Sequence, residues 1–469
     1  MDTNIYNRLD TKSYLEDQTF APPNTRRVFR KFAIAVSFLA LWLTPAFSAD
    51  ALNWVIVGCI LLCLWDPVAC LFLLIASAAV YYVEPDMPEK VFAISPTRIV
   101  GAALFVRCLI SPGLSIIIKS VGSMSPIAKI FLLLYIISVV VAGCGTGNIA
   151  SVIAISAALT TFVIVAALVY QINDSRWVAL AIITGLLLAS SYYILIWSGF
   201  LSPILIARIS PTGQESLRIT ASRSSLNYTG SLMSVCFASL VFAYLSGSYK
   251  RKRIIALGLS LFVFTTMMDV GSRGAIVASI FGLFAAIVLA AKTRGIQGMY
   301  RTLGLFLASI IFVVIFWSLA TSEWAAVFSR FTSGGELHGE GRLAIWSKAF
   351  VYVLSHPVIP DPRGWELISP GVGPHQSFLA AGMSGGLLAM VGLVGLAITT
   401  IRRGWKKVRI PDTHEQFWQC IFFLILVTLV INLCSSAMPG HKILWSMFAV
   451  CGTSFGRYNE FHRPTFPLV

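Results

Sequence analysis

The sequence predicts an all-α polytopic membrane protein of 12–14 transmembrane helices with one large external loop, and three observations carry that expectation. Of its 469 residues, 57% are hydrophobic and only 12% charged, with a mean hydropathy of +0.81. Soluble domains carry about twice that share of charge. The apolar residues come in runs of about 17–25, the length that crosses a bilayer core as helix. Backbone groups in lipid must be satisfied internally, so such runs can only be helices. Lysine and arginine gather on alternate connections between the runs.

The chain opens with a polar tail, 1–31, that ends in Arg26, Arg27, Arg30 and Lys31. It is too long and too mixed for the n-region of a cleavable signal, and no A-x-A-like site follows, so the first helix is expected to be an anchor. Eleven spans follow over 32–321, at 32–49, 51–65, 67–83, 91–110, 126–143, 150–170, 177–198, 226–247, 254–270, 274–291 and 303–321. Three more, at 375–400, 416–435 and 441–456, precede a C-terminal tail, 457–469. The runs 51–65 and 67–83 are short and joined through Asp66-Pro67; they read as two spans or as one re-entrant hairpin. Orientation elsewhere is the same either way, because both would vanish together. The nine cysteines are scattered, mostly within apolar runs and without a CxxC pair, and read as small buried hydrophobes.

An N-terminus in the cytoplasm places KRKR (250–253), Lys292, Arg294, Arg301 and RRGWKKVR (402–409) on the same side. Of the 35 Lys and Arg, 24 then lie inside and 11 outside, whereas the 20 Asp and Glu divide 9 and 11. The whole net charge of +15 therefore sits on the inner side, which explains the basic balance without a nucleic-acid partner. Both termini are expected in the cytoplasm.

Two external segments have substance of their own. The minor one, 199–225, holds Arg208, Arg218 and Arg223; the large one is 322–374. Within the latter, Arg342 to Leu354 is helix-like, with Leu343, Trp346, Phe350 and Val353 on one stripe. This short amphipathic helix is expected to lie on the membrane surface or against the bundle. Prolines and glycines from Pro357 to Pro374 then shape a loop that ends at Gly373-Pro374-His375-Gln376-Ser377-Phe378.

The unusual polar residues collect at the external helix ends: Arg98 in SPTRIVGA, Arg223, Arg273 in GSRGAIVA, Arg342 in GEGRLAIW, and His375. A charge beside or inside an apolar run usually faces a partner or an aqueous cavity. Guanidinium forks match phosphate oxygens, so arginines facing one cavity form a candidate pyrophosphate site. Arg273 also precedes a helix N-terminus, whose free N–H groups favour an anion. Arg98 and Arg223 read equally well as arginines that snorkel to the interface. His375, taken alone, also fits a solvated loop histidine. His356 earns less attention, since it merely precedes a proline. No GxxxxGK[ST] P-loop, no HExxH and no close pair of aspartates occurs, so neither a nucleotide nor a metal is expected.

In order and placement, GSRGAIVA at the start of a span, GRLAIW in an external loop and GPHQSFL opening the next span resemble the O-antigen ligase and Wzy-type polymerase superfamily of bacterial surface-polysaccharide assembly. The similarity concentrates in about 265–390. It implies a multi-span protein of the bacterial inner membrane whose large loop is periplasmic. The family's functional residues fall here on Arg273, Arg342 and His375. Three departures bear on the member: the family usually has His-Asn where this chain has His375-Gln376. His356-Pro357 leads to VIPDPRGW rather than to a glycine-rich stretch. Gly382-Met383-Ser384-Gly385 comes early for the GxxG of a ligase.

The resemblance implies transfer of a glycan from undecaprenyl pyrophosphate to an acceptor sugar hydroxyl, on a glycan or glycolipid, at the periplasmic face. Arg273 and Arg342, with Arg98 and Arg223, would bind the pyrophosphate, and His375 would take the acceptor's proton. No cofactor is implied, and other polysaccharide-assembly proteins are the further partners expected. The departures and the number of spans favour a polymerase of repeat units over a ligase that moves finished polymer to a lipid A core. A flippase of lipid-linked oligosaccharides would scatter its charges through the middle of the helices, whereas here they gather at one face.

Overall fold

The computed structural model describes residues 23–43, 49–79, 96–110, 113–200, 204–209, 215–220, 226–247, 250–295, 300, 303–311, 314–315, 339–360, 376–409, 413–434 and 442–453. Helices α1 (Pro23–Trp42), α2 (Ala49–Cys63), α3 (Pro67–Ala79), α4 (Pro96–Ile110) and α5 (Leu114–Gly122) come first. They lead into α6 (Pro126–Thr146), α7 (Ile149–Ile172) and α8 (Ser175–Trp197). A hairpin of β1 (Ile204–Ile209) and β2 (Glu215–Thr220) precedes α9 (Leu226–Ser246), α10 (Lys250–Val270) and α11 (Arg273–Arg294). The last helices are α12 (Gly339–Ser355), α13 (Ser377–Val408), α14 (Thr413–Leu433) and α15 (Lys442–Gly452).

Among the described residues eight helices, α6 to α11 with α13 and α14, are long and apolar enough to cross a membrane. A ninth span results if α4 and α5, bent by 101° to each other, count as one. The chain is an all-α polytopic membrane protein. Its other expected spans correspond to shorter apolar helices (α2, α3 and α15), to α1 with its basic first turns, or run partly outside the described residues, as 303–321 does. Two departures from expectation stand out. The stretch after Ile110, expected as a loop, contains α5. The minor segment, also expected as a loop, contains an antiparallel hairpin that pairs Ile204 with Thr220 and Ile209 with Glu215. Its β-branched strands flank a Pro211-Thr212-Gly213 connection, a pattern suited to a hairpin turn.

Side-chain contacts fix which helix ends lie together. The end at which α13 begins is called upper here, and the end at which it finishes, lower. At the lower end Lys292 of α11 stands 4.8 Å from the Trp405 ring of α13, and Gln416 of α14 donates to Val408 O. Ser175, opening α8, donates to Glu415 at 2.6 Å. At the upper end Trp197, closing α8, donates to Asp269 near the end of α10. Asn432, near the end of α14, donates to Ser234 of α9. The parallel pair α9 and α11 stays in register throughout: Gly230 lies beside Ser272 and Ala275, Gly282 beside Ala238, and Ser246 beside Thr293. Helices α7, α9, α11 and α13 therefore all start at the upper end.

The lower end is tied by a polar knot. Arg30 of α1 forms an ion pair with Asp66 at 3.0 Å and stacks over Trp177 of α8. Asp66 caps α3 by accepting from Val68 N and Ala69 N, with Pro67 in the first turn, where its missing N–H costs nothing. Arg107 of α4 donates to Leu64 O and to Gln171. The Asp66-Pro67 joint is thus a capped turn pinned from both sides. Two short helices are buried on every side beyond their first residue: α3 and α15.

Helix α13 is not continuous. Gly385 and Gly386 leave helical geometry, Gly386 at φ +74°, and Leu387 N–H donates to Pro357 O at 2.9 Å. A Cβ on Gly386 would run into the carbonyl oxygens of Pro357 and Val358. The segment after α12 is thereby plugged into a break within a membrane span, where a freed backbone group must find a partner in the protein.

Candidate functional site

Arg273 is the first residue of α11, and the local sequence explains its placement. Gly271, at φ +61°, turns the chain from α10 into α11, and its N–H bonds back to Met268 O. Ser272 is the N-cap residue, yet its side chain does not cap the helix. A Cβ on Gly230 would stand 2.8 Å from Ser272 Cβ and from Ala275 Cβ, so glycine lets α9 press on the SRG turn. The backbone carrying Arg273 is held, while its side chain lies outside the described residues.

Arg342 belongs to α12, and its side chain too lies outside the described residues. The helix packs on the start of α13, as one of the two expected placements had it. Ala349 and Tyr352 are buried with Leu379, and Ile345, Trp346 and Met383 close around them. Val353 is fully buried and touches Gly382. The expected stripe needs one correction. Phe350 is 45% exposed, and the buried face runs instead through Trp346, Ala349, Tyr352 and Val353. Ala349 escaped notice because alanine gives a weak hydropathic signal beside phenylalanine.

His375 and Arg223 lie outside the described residues. The residue after His375 is placed: Gln376 is the N-cap of α13, extended at φ −147°, with Oε1 accepting from Leu379 N at 2.6 Å. Its backbone carbonyl accepts from Ala380 N. Glutamine thus does the capping work of the shorter asparagine. Position 375 immediately precedes this cap.

The packing brings the starts of α11 and α13 to one end, on two helices that both pack against α14. Arg98, exposed near the start of α4, belongs to a different side of the bundle, where α4 packs on α7. Among the described residues no three His, Cys, Asp or Glu side chains are grouped to hold a metal ion.

Four features escaped the sequence reading. The Gly385–Gly386 break is one, and the Gln376 cap is another. His356 is a third: its ring stacks on Tyr352 at 4.5 Å, and Nδ1 lies 3.0 Å from Ser355 Oγ, next to the Pro357 carbonyl in the break. The last is Lys442, half-buried at the start of α15. A glycine pair inside an apolar run and a lysine opening another were the available signals. Compared with protein-family models and with curated proteins, the chain matches none.

Proposed function

We propose that the protein is a glycosyltransferase of bacterial surface-polysaccharide assembly, acting in the inner membrane as a polymerase of lipid-linked repeat units. One arrangement carries the reading. The GSRG motif opens α11, the GRLAIW motif lies in a helix packed on the start of α13, and GPHQSF leads into the α13 cap, with α11 and α13 starting at the same end.

In the reaction an acceptor sugar hydroxyl attacks the anomeric carbon of the glycan on undecaprenyl pyrophosphate. The new glycosidic C–O bond forms as the bond to the pyrophosphate oxygen breaks, and the pyrophosphate leaves with the electron pair. The proton of the hydroxyl passes to the His375 imidazole, a base suited to neutral pH. Arg273 and Arg342 stabilise the charge that develops on the leaving group, aided by the dipole at the start of α11. The donor already carries a good leaving group, so the step calls for no nucleotide. Ligation to a lipid A core needs the same chemistry with another acceptor.

The glycolipid pattern of a deletion strain separates these readings. Single repeat units on the core identify a lost polymerase; accumulated lipid-linked polymer identifies a lost ligase. Complementation with His375→Ala should restore no polymer while the protein reaches the membrane at normal level. Normal chain length from that variant would sink the general-base role.

A further inference from the structure

At the lower end two indoles are each flanked by two cations. Trp177 of α8 has the Arg30 guanidinium 4.7 Å and the Arg176 guanidinium 5.8 Å from its ring centre, and there Asp66 pairs with Arg30. Trp405 of α13 has Lys292 Nζ of α11 at 4.8 Å and the Arg409 guanidinium at 5.3 Å. Among the described residues neither Lys292 nor Arg409 has an ion-pair partner. Glu415, in the first turn of α14, is held by Ser175 and Gln419. The first indole site carries its own anion; the second does not.

The C-terminal ends of helices favour cations, which accounts for Lys292 near the end of α11 and for Arg409 as the C-cap of α13, each taken singly. It does not account for two uncancelled charges, from different helices, within 5.3 Å of one ring centre. Like charges so placed repel, and cation–π attraction at exposed sites is modest and leaves their side-chain donors available. Both side chains are exposed, as are Arg402 and Lys406 on the same stretch of α13.

Above these cations the surface turns apolar. Val288 and Phe284, about one and two turns up α11 from Lys292, are exposed, and so is Ile398, about two turns up α13 from Trp405. Phe423 of α14, on which both helices pack, lies 5.4 Å from the Trp405 ring. A cationic foot beneath an apolar wall, at the ends of membrane-crossing helices, is complementary to a phospholipid whose head group carries net negative charge. A zwitterionic head group brings its own cation and gains little there. We infer that the lower ends of α11 and α13 bind an anionic phospholipid, with its phosphate on Lys292 and Arg409 and its acyl chains along Val288, Phe284 and Ile398. Lipid binding here needs nothing of the proposed glycosyl transfer, and its failure would leave that proposal intact.

The test uses the full chain purified in a neutral detergent, with dioleoyl phosphatidylglycerol or dioleoyl phosphatidylcholine titrated in and bound lipid read by native mass spectrometry. The wild type should bind the phosphatidylglycerol at least about tenfold more tightly than the phosphatidylcholine. Lys292→Gln and Arg409→Gln should each weaken phosphatidylglycerol binding about fivefold, and the double variant should bind both lipids alike. Lys292→Arg keeps the charge and should stay within about twofold, which separates lost charge from lost folding. Arg176→Gln, which removes an exposed cation at the same end of the bundle, should also stay within about twofold. A wild type without lipid preference, a double variant that keeps it, or an equal loss in Arg176→Gln would overturn the site. Displacement of the lipid by millimolar inorganic phosphate would assign the cations to a soluble anion and overturn it as well.

Discussion

At the scale of the residue, Gln376 shows how a departure from a motif can be absorbed. Under the proposed function the motif has asparagine here, and glutamine keeps the amide oxygen while lengthening its arm. Its Oε1 reaches Leu379 N and caps α13, which holds the backbone one residue after His375. Removing such a cap costs about 1 kcal/mol. Gln376→Ala should therefore lower polymer yield several-fold and reduce thermal stability, without abolishing the product. Gln376→Asn should restore both. The readout is the length distribution of the glycan ladder beside the melting temperature of the purified protein. A Gln376→Ala variant as inactive as His375→Ala, yet normally stable, would mean that the amide touches the substrate.

At the scale of the element, glycines determine how closely α13 approaches its neighbours. Gly392 has the backbone N of Tyr135 2.7 Å from where a Cβ would stand, and Gly385 has Val139 N at 2.9 Å. Small residues allow such backbone contact between membrane helices. Gly392→Val should thus destabilise the protein by about 1–3 kcal/mol through overpacking. Gly258 of α10 has open space around its Cβ position, so Gly258→Ala should be neutral or slightly stabilising. Recovery and melting temperature in detergent check both. Equal behaviour of the two variants would contradict the packing. Helix positions of this kind were legible in the sequence, because apolar runs and Pro or Asn caps mark the ends locally. Asn148 and Asn173 end or open helices within a few residues of where hydropathy changes. The α13 break was not legible, because its cause lies elsewhere in the chain: the Pro357 carbonyl fills it. The hairpin was missed because two short strands between membrane helices leave little hydropathic trace.

At the scale of the whole molecule, alternation of direction is the organising fact. From α7 to α11 each long helix begins where its predecessor ended, as α14 does after α13, and α7, α9, α11 and α13 start at the upper end. The basic knot of Arg30 with Asp66, and Lys407 with the end of α15, lies at the lower end. The sorting of charge by loops already implied that arrangement. It put the candidate residues on one face without saying which stand together. Sequence reading grouped Arg98 with Arg273 because both stand beside apolar runs at external helix ends; in the fold the helix of Arg98 packs on α7 and that of Arg273 on α14. That separation was hidden because spacing along the chain does not say which helices pack together.

The central claim, transfer of glycan from a pyrophosphate carrier with His375 as base, is tested most directly by reconstitution. The purified protein in liposomes, supplied with undecaprenyl-pyrophosphate-linked repeat units and no nucleotide, should yield a glycan ladder. One undecaprenyl pyrophosphate should be released for each new glycosidic bond, and His375→Ala should lower that rate at least about a hundredfold. A wild-type protein that moves the lipid-linked units across the bilayer without forming bonds or releasing carrier would contradict the claim.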